Sequence, residues 1–105
     1  MTVDPGIRLT VQPVGDGVVR VSGELDVRAC ERLEHALGDL VDRPGRVVLD
    51  LSRLTFCDST GLAALVRLHK RAAAAGCTLA LRSPVPRVRN LLTLTGLTRL
   101  FPIDS

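Results

Sequence analysis

Aromatic side chains are almost missing from this 105-residue sequence, which has two phenylalanines, no tryptophan and no tyrosine. Proteins that bind RNA or single-stranded DNA commonly stack the bases on aromatic rings, so the composition argues against that function. The 14 cationic and 11 acidic side chains leave a net charge of +3, and no basic arm or recognition helix is visible. We therefore expect no direct contact with nucleic acid and a core built from aliphatic residues.

Long apolar runs are missing as well. No stretch approaches the roughly 18 apolar residues that a membrane-spanning helix needs, and no signal peptide opens the sequence. Cys30, Cys57 and Cys77 are odd in number, lack Cys-x-x-Cys spacing and stand among apolar residues. This pattern favours small buried hydrophobic residues in a reducing compartment over metal ligands or redox pairs. We expect a cytoplasmic protein with no membrane contact and no metal.

Motifs of catalysis and nucleotide binding are also lacking. The sequence has neither a Gly-x-x-x-x-Gly-Lys-Ser/Thr loop nor Gly-x-Gly-x-x-Gly, so we expect no bound ATP or other cofactor. Ser59 is not in a Gly-x-Ser-x-Gly elbow, because Cys57 stands two residues before it. His69 lies on the order of 15 Å further along the predicted helix, too far to act as its base, and His35 is predicted to face solvent. A hydrolase with a Ser59 or Cys57 nucleophile is the least favoured function, and we predict no enzyme.

The residues that are present predict one folded domain spanning 1–105, with a core of about 7–103. Apolar and polar residues alternate from Ile7 to Gln12, as in a strand with one solvated face. Gly15-Asp16-Gly17 then favours a tight hairpin turn, and a strand from about Val18 to Ser22 should pair antiparallel with the first.

Helical and strand patterns alternate along the rest of the chain. The predicted order is β-β-α-β-α-β-α, an α/β fold with a mixed, mostly parallel sheet, an N-terminal β-hairpin and helices packed on the sheet. The segments after the hairpin are a helix at about Val27–Val41 with Leu40 on its apolar side, a strand at Val47–Leu51, a helix at Leu62–Ala75, a strand at Thr78–Leu81 and a short helix ended by Gly96. The apolar face predicted for the central helix consists of Gly61, Ala64, Leu65, Leu68, Ala72 and Ala75. The last apolar residues fit either a strand or a turn.

Asp58-Ser59-Thr60 stands between the buried strand and the central helix, and all three side chains are good helix N-caps. The first amides of a helix are unpaired and carry partial positive charge, so a phosphate on Ser59 could be held there, although Asp58 would repel it. The residues alone leave two interpretations open: Ser59 only caps the helix, or it is modified.

Glu24 and Asp26 follow the second strand of the predicted hairpin. If that strand is parallel to the one before Ser59, their loops meet at the same edge of the sheet. Asp26 is therefore either the N-cap of the first helix or part of a surface shared with Ser59.

Three motifs carry a resemblance to a known family. They are Gly23-Glu24-Leu25-Asp26 before an amphipathic helix, Val48-Leu49-Asp50-Leu51 through Phe56-Cys57-Asp58-Ser59-Thr60-Gly61-Leu62, and the ending Leu94-Thr95-Gly96-Leu97-Thr98-Arg99-Leu100-Phe101-Pro102-Ile103. From Ile7 to Ile103 the chain resembles the STAS family, specifically the bacterial anti-sigma factor antagonists. Cys57 and Thr60 are mild departures from the family pattern.

The resemblance implies a single STAS domain that works as a phosphorylatable binding module. The unphosphorylated form would bind an anti-sigma factor serine kinase and free its sigma factor; phosphorylation of Ser59 would end binding, and a phosphatase would reverse it. Thr60 is a minor candidate for a second phosphorylation site. The implied partner-binding residues are Glu24, Leu25, Asp26, Asp58, Ser59, Thr60, Gly61 and Leu62. The alternative is a non-phosphorylated accessory STAS subunit of a transport or other signalling complex, in which the serine is only a cap.

Overall fold

The computed structural model describes residues 6–104. Within that range the chain forms six strands, three α-helices and one short 3-10 helix. In chain order the elements are β1 (Leu9–Gly15), β2 (Val18–Leu25), α1 (Cys30–Val41), β3 (Gly45–Asp50), β4 (Leu54–Cys57), α2 (Ser59–Ala74), β5 (Cys77–Arg82), α3 (Pro86–Leu94), the 3-10 helix (Leu97–Arg99) and β6 (Ile103–Asp104).

The strands form one mixed sheet in the order β1-β2-β3-β5-β6, with β4 beside the last part of β2. The β1–β2 hairpin is antiparallel and all other pairs are parallel. The predicted α/β class, the mostly parallel sheet and the N-terminal hairpin are confirmed.

The predicted element order is incomplete, because it lacks β4. The last apolar residues, for which a strand and a turn were both left open, form the short 3-10 helix and then the two-residue β6. β2 pairs with β3 through Val18–Arg20 and then with β4 through Gly23–Leu25, so two short strands share one neighbour. A tight turn separates β3 from β4, in which the Asp50 carboxylate accepts a hydrogen bond from the Ser52 amide at 2.9 Å. Four residues are too few to show the alternation of apolar and polar side chains that identifies a strand in a sequence, so the sequence did not predict β4.

All three helices contribute buried apolar residues to one hydrophobic core, which they share with the strands. The predicted face of α2 is confirmed for Gly61, Ala64, Leu65, Leu68 and Ala72, which are all buried. Ala75, predicted on the same face, follows the end of the helix and is only half-buried. Two details of the first helix were wrong. α1 begins at Cys30 instead of Val27, and Leu40 is 37% exposed instead of packed in the core.

Two arginine–carboxylate pairs join α1 to α2 on the surface above the core. Arg67 donates to both oxygens of Glu34 at 2.8 and 3.1 Å, and Arg71 does the same to Asp42 at 2.7 and 2.6 Å. Exposed pairs of this kind contribute at most about 1 kcal/mol each, so burial of the aliphatic core remains the main source of stability.

The free edge of β1 is partly covered. The guanidinium of Arg32 on α1 donates to the backbone carbonyl of Leu9 at 3.3 Å. Further along the same strand stands Pro13, which has no backbone N–H to offer. Both features reduce the number of unpaired backbone groups on this edge.

Leu49 tests the aliphatic core, because it lies on β3 and is 0% exposed. We expect Leu49→Ala to lower the free energy of unfolding by about 2–5 kcal/mol through lost burial and a residual cavity. Urea unfolding measures the effect. Leu94→Ala is the matched control, since Leu94 is 84% exposed and its truncation should change stability by less than about 0.5 kcal/mol. Equal losses in both variants would contradict the assigned core.

Candidate partner-binding site

Two parallel strands end side by side at the candidate site. β2 and β4 are in register there, with Leu25 opposite Cys57, so that Asp26 and Asp58 follow at the same edge of the sheet. The Asp58 amide donates to the Leu25 carbonyl at 3.4 Å and continues the pairing beyond the strand ends. The expected meeting of the two loops at one sheet edge is confirmed, although β4, and not β3, is the strand that leads into α2.

Asp58 is the N-cap of α2. Its Oδ1 accepts hydrogen bonds from the Gly61 amide at 3.0 Å and from the Thr60 hydroxyl, while its backbone carbonyl accepts from the Leu62 amide at 3.0 Å. Its extended backbone, with φ −108° and ψ −173°, brings the carboxylate over the first turn. The interpretation of Ser59 as the cap of this helix is therefore wrong.

Ser59 is the first residue of α2 and is exposed. Nothing among residues 6–104 accepts or donates a hydrogen bond at its hydroxyl, because Asp58 already performs the capping. The neighbouring hydroxyl differs in both respects, since Thr60 is half-buried and donates to Asp58. Of the two candidate phosphorylation sites, only Ser59 offers a free and accessible oxygen in this conformation.

Asp26 organises the turn that precedes α1. Its Oδ1 accepts from the amides of Arg28 and Ala29 at 3.0 and 3.2 Å, and its Oδ2 pairs with the Arg28 guanidinium at 3.1 Å. Desolvation opposes ionisation, but the Arg28 side chain and the two amides outweigh it and lower the pKa of Asp26. Ala29, and not Asp26, immediately precedes the α-helix, so the predicted N-cap was wrong by one turn.

Cys30 links the two loops and was not predicted to belong to the site. Its Sγ lies 3.1 Å from the Asp26 carbonyl and 3.3 Å from the Thr60 carbonyl, within reach of a thiol hydrogen bond to either. The sequence carries no sign of this contact, since an isolated cysteine on an apolar helix face is expected only to fill the core.

The first turn of α2 lies directly against β2. A Cβ atom at Gly61 would be 2.6 Å from the Leu25 carbonyl oxygen, 2.8 Å from Leu25 Cγ and 2.9 Å from Cys57 Sγ. Gly61, Leu25 and Leu62 are all buried. The accessible members of the predicted partner-binding set are Glu24, Asp26, Asp58, Ser59 and Thr60.

Cys57 is unsuited to nucleophilic chemistry. Burial raises its pKa to about 12, and the Asp58 carboxylate and the Cys30 thiol act in the same direction. His69 packs edge-to-face on Phe101, with ring centroids 5.2 Å apart, and its buried Nδ1 has no hydrogen-bond partner among residues 6–104.

Two further kinds of feature are lacking in the part of the chain that the structure describes. No group of three or more His, Cys, Asp or Glu side chains could hold a metal ion. No helix there has the length and apolarity to cross a membrane.

Comparison with known proteins decides the family. The family model described as "Mlab, STAS domain" matches residues 9–102, nearly the whole chain. This chain is a member of the STAS family. The predicted resemblance is confirmed, and with it the α/β fold.

One relative and two solved structures carry the name anti-sigma factor antagonist. The chain is 32% identical over 88 residues to an anti-sigma F factor antagonist of Paenibacillus polymyxa, covering 82% of this chain and 75% of the relative. The crystal structure of an anti-sigma factor antagonist from Mycobacterium paratuberculosis is 36% identical, with a TM-score of 0.72 over 91% of this chain and 83% of that one. Unphosphorylated SpoIIAA, another anti-sigma factor antagonist, is 25% identical, with a TM-score of 0.65 over 92% and 88%.

These similarities support the role of anti-sigma factor antagonist in general terms. STAS domains of this kind are regulatory binding domains and not enzymes, in agreement with the predicted lack of catalysis.

The close approach at residue 61 yields a stability prediction. Gly61→Ala should lower the free energy of unfolding by about 1–3 kcal/mol, because the new methyl group meets a backbone carbonyl that cannot move away. Gly38→Ala in α1 is the control, measured by the same denaturant titration. There the methyl group would lie 3.0 Å from the flexible Arg71 guanidinium, and the better helix propensity of alanine stabilises by up to about 1 kcal/mol. Effects of the same sign in both variants would contradict this packing.

Thiol labelling tests the burial of the cysteines. With its pKa at about 12, only about one Cys57 thiol in ten thousand is ionised at pH 8, and burial also raises the pKa values of Cys30 and Cys77. We expect Ellman's reagent to react slowly with the folded protein and quickly after urea is added. Val27→Cys, at a position that is 67% exposed, should add one fast-reacting thiol. A fast wild-type reaction without urea would show that a native thiol is accessible.

Proposed function

We propose that this chain is a phosphorylation-controlled anti-sigma factor antagonist with Ser59 as its switch residue. The unphosphorylated chain binds an anti-sigma factor that is also a serine kinase, and sigma factor is released from that kinase. Phosphorylation of Ser59 ends binding, and a phosphatase restores it. We place this exchange in the cytoplasm. The observation that carries the proposal is the exposed hydroxyl of Ser59 at the first position of α2, which makes no hydrogen bond within residues 6–104.

The geometry suits phosphoryl transfer from a partner that brings its own ATP. The Ser59 oxygen would form a bond to the γ-phosphorus while the bond to the ADP oxygen breaks, and a base of the kinase would take the hydroxyl proton. An in-line attack needs an oxygen that is accessible from solvent and not committed to a strong hydrogen bond. Ser59 meets both conditions, whereas the Thr60 hydroxyl donates to Asp58.

The accessible carboxylates define the surface that meets the kinase. Glu24, Asp26 and Asp58 surround the same edge of the sheet, and of these only Asp26 has an ion pair among residues 6–104. A phosphate on Ser59 would add about −1.5 to −2 charge beside them. The added charge and bulk would oppose close contact with a partner that had fitted the uncharged hydroxyl.

The fold should tolerate the phosphate. The N-terminus of a helix favours an anion through its dipole and its unpaired amides. Ser59 is also exposed, so that the phosphate does not enter the core. We therefore expect phosphorylation to change binding and to leave the structure intact.

Substitutions of Ser59 test the switch. Ser59→Ala should bind the kinase that co-purifies with the unphosphorylated chain, accept no phosphate and keep sigma factor free. Ser59→Asp should fold normally but bind about 30- to several-thousand-fold more weakly, because an opposed charge at a close contact costs about 2–5 kcal/mol. Titration calorimetry and sigma-dependent transcription measure the two effects.

Thr60→Ala separates the two hydroxyls. It should still accept phosphate at Ser59, whereas phosphate appearing in Ser59→Ala would assign the site to Thr60. Equal kinase affinity of wild type, Ser59→Asp and the phosphorylated chain would falsify the switch. It would then favour an accessory STAS subunit that is not phosphorylated.

Substitutions of Asp26 test whether the loop after β2 contributes to kinase binding. Asp26→Lys should weaken kinase binding about tenfold or more, since it reverses a charge at the proposed contact. The change also removes the hydrogen bonds to Arg28 and Ala29 and can cost about 1 kcal/mol of stability. Thermal melting is therefore recorded alongside affinity, with Asp26→Asn, which keeps an acceptor oxygen, as the control. A lower melting temperature with unchanged affinity would limit Asp26 to a structural role.

A further inference from the structure

One buried thiol lies between the two loops of the candidate site. Cys30 is the first residue of α1 and is 7% exposed. Its Sγ is 3.1 Å from the carbonyl oxygen of Asp26, in the turn that follows β2. The same Sγ is 3.3 Å from the carbonyl oxygen of Thr60, in the first turn of α2. Cys30 is therefore in contact with both loops at once.

The thiol keeps the proton that such a contact needs. Burial raises the pKa of Cys30, and the neighbouring Thr60 side chain, which acts in the opposite direction, does not offset it. At neutral pH the group is therefore an uncharged S–H, which can donate to one of the two carbonyl oxygens at a time. A thiolate has no proton to donate and would repel both oxygens. Cys30 thus serves as a hydrogen-bond donor between the loops and not as a nucleophile.

Thr60 continues the connection to the residues around the proposed phosphorylation site. Its hydroxyl donates to the Asp58 carboxylate, which caps α2. Thr60 and Asp58 are the two neighbours of Ser59 in the chain. The contact from Asp26 through Cys30 to Thr60 therefore joins the turn before α1 to both residues that flank Ser59.

We propose that Cys30 is a positioning residue for the kinase contact, an inference that rests on the proposed function. Its thiol holds Asp26 in a fixed place relative to Ser59, so that the kinase meets the carboxylate and the hydroxyl together. Two contacts that are in place before binding cost less to order when the complex forms.

The two contacts have different roles, and this makes the proposal specific. Asp26 contributes to affinity, whereas Ser59 receives the phosphate. Loss of the Cys30 thiol loosens the Asp26 turn but leaves the Ser59 end in place, because Asp58 caps α2 through the Gly61 amide without help from Cys30. The change should therefore weaken binding without slowing phosphoryl transfer inside the complex.

Cys77 supplies a matched control for the other role of a buried cysteine, which is to fill the core. It is 6% exposed, close to the value for Cys30. It pairs with Gly45 at the amino ends of β3 and β5, whereas the candidate site follows the carboxyl ends of β2 and β4. Its Sγ lies 3.8 Å from the carbonyl oxygen of the adjacent Thr78. Truncation of Cys77 therefore removes the same atoms from a similar environment away from the site.

Steady-state phosphorylation of Ser59 by the kinase that co-purifies with the wild-type chain tests the proposal. Cys30→Ala should raise the KM for the chain about three- to tenfold, the range set by the loss of one hydrogen bond, and should change kcat by less than about twofold. Cys30→Ser restores a donor and should recover most of the wild-type KM. Cys77→Ala should leave KM within about twofold of wild type.

Amide hydrogen exchange tests the same contact without a kinase. The Ala29 amide donates to the Asp26 carbonyl at 3.1 Å and to its Oδ1 at 3.2 Å. This amide should exchange about threefold faster or more in Cys30→Ala than in wild type, and at the wild-type rate in Cys77→Ala. Circular dichroism and thermal melting show that each variant is folded and how much stability each has lost.

The outcomes separate this inference from the proposed function. A wild-type chain that takes no phosphate on Ser59 would overturn both. Phosphate transfer with the wild-type KM in Cys30→Ala, an equal rise of KM in Cys77→Ala, or no recovery in Cys30→Ser would overturn the positioning role alone. Cys30→Val, which has similar bulk and no donor, takes the place of Cys30→Ala if alanine unfolds the chain. A wild-type KM in the valine variant would assign Cys30 to core filling.

Discussion

The first turn of α2 can lie against the end of β2 only because residue 61 has no side chain. The Leu25 carbonyl and the Cys57 thiol occupy the space that a Cβ atom would need. This contact brings the ends of β2 and β4 and the start of α2 into one rigid unit. The positions of Asp26, Asp58 and Ser59 relative to one another depend on it, and so does the surface that they form.

Within this unit the main chemical feature is that Asp58 caps α2 while the neighbouring Ser59 stays exposed. The first amides of a helix need hydrogen-bond acceptors. The Asp58 carboxylate accepts from the Gly61 amide, and also from the Thr60 hydroxyl, while the Asp58 carbonyl accepts from the Leu62 amide. Because Asp58 caps the helix, the Ser59 side chain is not needed for capping. A residue that can change its charge without disturbing the fold is what a reversible modification requires.

Sequence patterns were sufficient for the parts of the fold with long, regular periodicity. The core face of α2 and the alternating residues of β1 are examples, since each pattern repeats over enough residues to be distinctive. β4 was missed because its four residues follow β3 after a turn of three. β6 could not be distinguished from a turn because it has only two residues. The Cys30 contact and the true caps of α1 and α2 depend on side-chain geometry, to which residue type alone is a poor guide.

The covered edge of β1 has a consequence for how the molecule behaves at high concentration. An edge strand with free amides and carbonyls can recruit the same strand of another copy, which leads to growing β-sheet aggregates. In this chain Arg32 occupies the Leu9 carbonyl, and Pro13 offers no amide to an incoming strand. At β1 the sheet therefore ends in a strand that is poorly suited to pair with the same strand of another copy.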